Sequence, residues 1–261
     1  MVGGTVNTRA AIADKRPVLG AARTSPSRRF YSLAGIAMLI VTAFGFQEFY
    51  LHGKEFGGTA ISPSMFPLVI VHGVALTLWF FLFLTQSVLI ANRRRQIHMT
   101  LGWSAIALAA IIVVSGSLVA VKSVQSDPLF LFWGMEYRQF LLIMLTEVGS
   151  FAVFVLAGVL NRKRPARHRA MMLLATTSVL AGATLRMPIL FPIFGTTGWE
   201  GMFGPVFLLG AVLVVTRSVM LRTLDRWLAV GFGAMVASYV LAVTLAASES
   251  WRSVAHWAFK V

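Results

Sequence analysis

The sequence predicts an all-α, polytopic membrane bundle of seven transmembrane helices, N-terminus inside and C-terminus outside. Three observations predict it. The 261 residues are 57% hydrophobic and only 12% charged, where a soluble domain carries about 25% charged residues. The missing charge is concentrated in seven apolar runs, each near the ~20 residues that a ~30 Å hydrocarbon core requires. Basic residues then alternate between the two ends of those runs. With the N-terminus inside, the inside segments hold 17 of the 23 Lys and Arg and only two acids, Asp14 and Asp225. The outside segments hold six of each sign. That asymmetry sets the orientation, and it assigns the net charge of +14 to topology and to anionic lipid headgroups at the basic loops. Nucleic acid is not an expected partner.

Residues 1–29 read as a disordered, basic, Ser/Thr-containing cytoplasmic tail without an apolar signal region. The seven spans of the 30–247 domain follow at roughly 30–51, 66–91, 101–121, 139–160, 169–190, 203–220 and 227–247. None shows a broken-helix signature. Gly57, Gly58, Pro63 and Pro67 punctuate the entry to the second span. The outer loop "KSVQSDPLFLFWGMEYR", 122–138, is half aromatic and apolar, so Phe130, Phe132, Trp133 and Tyr137 are expected in the headgroup layer. Residues 248–261 form an outer amphipathic tail, with Trp251, Val254 and Trp257 on one side.

Two corners nearly repeat. "NRRRQIH", 92–98, joins spans two and three, and "NRKRPARH", 161–168, joins spans four and five. Topology accounts for the arginines, but not for a histidine at the first helical turn both times. Superposing His98 on His168 aligns two hairpins of one orientation, which reads as a duplicated helical hairpin.

Ionisable groups inside spans are costly and are functional candidates by default. His72 lies near the outer end of span two, and Gln86 is fourteen residues further along nearly the same face, with Trp79 between them. Glu147 lies within span four. Arg186 follows His168 by five turns and shares its face. His98, His168 and Gln86 fall in an inner layer; His72 and Arg186 fall in the outer half, where Gln47 and Glu48 join them. Glu147 and Arg186 are expected to form an intramembrane polar pair, because an unpaired buried charge costs several kcal/mol. The bland readings stand beside these: histidines facing lipid phosphates, Gln86 as interhelical glue, and a purely structural ion pair.

The chain has no cysteine, which removes disulfides, thiolate metal sites and thiol catalysis. No zinc spacing, catalytic triad, phosphate loop or dinucleotide motif is apparent. Neutral imidazoles on neighbouring helices can ligate b-type haem, so His72, His98 and His168, with Gln86, are the candidate cofactor-binding residues. A weakness is that His72 has no histidine partner at its own level.

The segments "VHGVALTLWFFLFLTQSVLI", "RRRQIHMTLGW" and "RKRPARHRAMMLLATTSVLAGATLRMP" resemble a widespread group of bacterial multi-pass membrane proteins without an assigned function. The resemblance spans roughly 70–190 and rests on His72, Gln86, His98, Leu101, Gly102, His168, Arg169, Met171 or Met172, Arg186 and Pro188. Met99 stands where that group usually has arginine. The resemblance implies a bacterial inner-membrane location and no activity. A more distant likeness to diheme b-type cytochromes rests only on histidines in helical hairpins. The expected function is an integral membrane protein with a polar His/Glu/Arg site, a b-haem or quinone-linked electron-transfer component. The alternative is a non-redox small transporter, or a structural subunit packed against a membrane partner or a second copy.

Overall fold

The computed structural model describes residues 26–55, 58 and 60–261; the predicted tail before Pro26, and Gly57, lie outside them. The chain is all-α apart from one short ribbon. In order, the helices are α1 (Pro26–Gly45), α2 (Gln47–His52), α3 (Phe66–Ala91), α4 (Arg95–Ser126), α5 (Tyr137–Leu160), α6 (Pro165–Ser178), α7 (Ala181–Thr184), α8 (Phe191–Phe194), α9 (Gly198–Leu221), α10 (Arg226–Ala246) and α11 (Glu249–Phe259). A 3-10 turn, Pro188–Leu190, precedes α8. In the outer loop, β1 (Leu131–Phe132) pairs antiparallel with β2 (Met135–Glu136).

Five helices, α3, α4, α5, α9 and α10, are long and apolar enough to cross a membrane, or six if the bent pair Pro165–Thr184 with Pro188–Phe194 is one span. The surface agrees with that reading. Leu33, Phe81, Val153, Leu160, Val219 and Val230 are all more than half exposed. A soluble monomer does not carry an apolar exterior of that extent, whereas lipid solvates it.

The predicted fifth span is the principal correction. The sequence suggested one unbroken helix at 169–190; the structure breaks it at Val179–Leu180, then turns it by 92° between Pro165–Thr184 and Pro188–Phe194. The cause is local. Thr176, Thr177 and Ser178 are consecutive and buried, and each turns its hydroxyl onto a carbonyl of its own helix, at Met172, Leu173 and Ala175. Such back-bonding competes with the helical ladder and bends it. Pro188 then prevents any straight continuation.

Interior contacts converge where α3, α5 and α6 meet. The Trp79 indole N–H donates to Thr176 Oγ1 at 3.2 Å, and its ring meets Phe151 edge-on at 4.8 Å between centroids. Small residues permit the closest approaches: a Cβ on Gly45 would run into the Ala183 backbone, so α1 lies directly against the broken segment.

The basic ends are gathered at one end of the bundle. Arg217, buried near the end of α9, faces Asp225 at 3.4 Å and lies over the Phe30 and Tyr31 rings of α1. Asp225 also caps α10 by accepting from the Leu228 N–H. At the opposite end α11 folds back over the bundle, since the Trp251 indole donates to the Arg138 carbonyl and Gln125 Nε2 donates to the Phe259 carbonyl. Trp257 stays largely exposed.

Candidate functional site

The predicted residues fall into three groups. In the first, His72 of α3 meets Ser115 of α4, Nδ1 to Oγ at 3.0 Å. The Ser115 hydroxyl donates its proton to the Ile111 carbonyl at 2.6 Å, so Oγ accepts from His72 and Nδ1 carries the hydrogen. Nε2 is therefore the bare nitrogen. Gly116 makes the room: a Cβ there would sit 2.8 Å from His72 Cε1 and 3.1 Å from Val148 Cγ2. An apolar groove of about 400 Å³ runs past Ser115 between α3 and α4.

The second group forms at the broken span. In a continuous helix the Ser178 carbonyl and the Gly182 N–H would bond to one another. Here they part. The buried Tyr239 hydroxyl of α10 donates to the Ser178 carbonyl at 2.9 Å, and the Gly182 backbone amide faces the Glu147 carboxylate of α5. Arg186 Nη1 donates to the Gly182 carbonyl at 2.5 Å, and its guanidinium lies over the Phe46 ring. Glu147 and Arg186 thus interact electrostatically while meeting the same residue from either side. Among the described residues no ion pair within 4.0 Å joins them directly. Glu48, expected nearby, lies 3.2 Å from His52 at the end of α2 instead.

The third group is the inner one. His98 and His168 come together, ring centroids 6.2 Å apart and planes at 84°. Their corners are built alike. Asn92 and Asn161 close α3 and α5 with φ, ψ of −90°, 13° and −96°, 17°. Arg94 and Arg164 are the N-cap residues of α4 and α6, and each histidine is the fourth residue of its helix. His168 Nδ1 donates to the Gly158 carbonyl at 2.8 Å. The His98 ring lies against the Gln86 backbone, and its Nδ1 is buried without a hydrogen-bond partner, as is Gln86 Oε1. Among the described residues, no group of three or more His, Asp or Glu could hold a metal ion.

Sequence reasoning missed the Arg217–Asp225 pair, treating both as inside charges that only set orientation. The available signal was Asp225 itself, a lone acid in a basic segment. It also missed Tyr239 and the Thr176–Ser178 run, which together decide where the span breaks. No protein family, curated protein or solved structure matches the chain.

Proposed function

We propose that this is a seven-span membrane protein that moves a proton, or a small solute coupled to a proton, through the polar site at its broken span. The observation that carries the reading is the convergence of Glu147 and Arg186 on the backbone N–H and C=O of Gly182, where the helix has opened. Discontinuous helices at membrane depth occur where backbone lines a site, and an intramembrane carboxylate beside a guanidinium is a proton-relay arrangement. Seven crossings follow if the bent pair crosses once and α1 crosses as well. At 1.5 Å per residue its 20 residues span ~30 Å. The N-terminus is then on the basic side and the C-terminus opposite, in a bacterial inner membrane as the resemblance at 70–190 implies. Arg93, Arg94 and Arg95 surround a cleft of about 260 Å³, a suitable seat for an anionic lipid headgroup.

The test is proton flux into liposomes that carry the purified protein and a trapped pH dye. Under an imposed pH gradient, Glu147→Gln is expected to lower flux about a hundredfold or more, the range of a lost proton-transfer group. Wild-type flux equal to that of empty liposomes, or to that of both Glu147→Gln and Arg186→Gln, rejects the proposal.

A further inference from the structure

The inner histidines play no part in that proton path. We propose that His98 and His168 are joint ligands of one transition-metal centre on the basic side of the bundle.

The argument begins with which ring nitrogens are engaged. His168 gives its Nδ1–H to the Gly158 carbonyl, leaving Nε2 with an open lone pair. His98 has a buried Nδ1 without a hydrogen-bond partner and lies against the Gln86 backbone, so its Nδ1 is open. Each imidazole lies against backbone of the preceding helix, His168 through a hydrogen bond to the Gly158 carbonyl, and each keeps one nitrogen available. That is the arrangement by which proteins hold metal-ligating histidines in a fixed tautomer.

Spacing agrees. With metal–nitrogen bonds of about 2.0–2.1 Å and the ring radius added, two imidazoles on one metal have centroids about 5–6.5 Å apart. The observed 6.2 Å lies within that range. Two salt-exposed histidines facing lipid phosphates separately have no reason to meet edge-on at this distance, or to leave a buried nitrogen without a partner.

Two imidazoles complete a centre only for a metal that tolerates two protein ligands. That selects a bare copper or zinc ion with solvent completing its shell, or the iron of a haem, whose macrocycle supplies four nitrogens. The surrounding charge favours the haem. Arg93–Arg95 and Arg162–Arg164 put six positive charges within six residues of the pair in sequence, which repel a bare metal cation and attract two propionates.

The experiment uses the full-length protein purified in detergent, as isolated and after incubation with haemin, with copper(I) and with zinc. Absorption spectra and metal analysis are read together. A Soret band supports the haem form; about one copper or zinc per chain without that band supports the bare ion. In either case His98→Ala and His168→Ala are expected to weaken binding about tenfold or more, while His256→Ala, on exposed α11, leaves it unchanged. Binding of none of the three, or binding that survives replacement of both histidines, overturns the proposal. Should an alanine variant fail to fold, the wild type is carbethoxylated with and without the metal. Protection of both His98 and His168 supports the shared centre, and equal labelling overturns it.

Discussion

The two hairpins share a corner and diverge in what rises from it. From His98, α4 runs for 32 residues without interruption. From His168, α6 stops at Ser178 after 14. With the histidines aligned, Gly116 of the first hairpin corresponds to Arg186 of the second. At Gly116 an intact helix accommodates one neutral imidazole, satisfied by one serine hydroxyl. At Arg186 there are two ionisable groups, and a continuous helix has no backbone donor or acceptor to offer them, because its ladder uses every one. Breaking the helix parts Gly182 N–H from Ser178 C=O; the Glu147 carboxylate faces the first and the Tyr239 hydroxyl donates to the second. The lesson is that hydroxyls suffice for neutral polar groups at membrane depth, whereas charged ones come with an opened backbone.

That contrast can be broken experimentally, and the charged side should respond most. Arg186→Leu leaves Glu147 without its opposite charge. Because Arg186 is only half-buried, the expected loss is about 2–3 kcal/mol, below the about 3–5 kcal/mol of a fully buried pair. Unfolding by SDS in mixed micelles measures it. Replacing both Glu147 and Arg186 by leucine should recover most of that loss, and a double variant less stable than the single one contradicts the account. On the neutral side, Gly116→Leu forces His72 away from Ser115 and overpacks α4 against α5, at about 2 kcal/mol in the same titration. Tyr239→Phe strands the Ser178 carbonyl at the break; a loss of about 1–2 kcal/mol is expected, with slower amide exchange at Gly182 if the helix heals itself. The smallest effect is Ser115→Ala, about 1 kcal/mol, accompanied by a shifted His72 ring resonance in NMR.

The long apolar helices and the meeting of the two corner histidines were legible in the sequence because each rests on a local cue. Uninterrupted apolar length identifies a membrane helix, and asparagine, arginines and histidine at matched spacing mark the corners. The broken span was not read because the usual punctuation is missing: no proline lies between 166 and 187. Its signal was three adjacent hydroxyl residues in an apolar run, whose effect depends on carbonyls that only the folded helix presents. The expectation that Glu147 and Arg186 interact followed from charge alone, with a water or His72 allowed between them. Only the fold reveals that both meet backbone groups of Gly182. Arg217 and Asp225 were hidden for a different reason, since position in a basic turn says nothing about burial, and α1 is what covers them.

The placement of α1 has a consequence for synthesis. One end of α1 lies against Ala183 and the other, at Phe30 and Tyr31, against Arg217, so besides the nearby α3 it packs on partners made much later in the chain. Contacts of such long sequence separation form slowly. A nascent chain halted before residue 181 holds α1 against α3, with its faces toward α7 and α9 uncovered. Until α7 and α9 arrive, that face of α1 has no partner from its own chain.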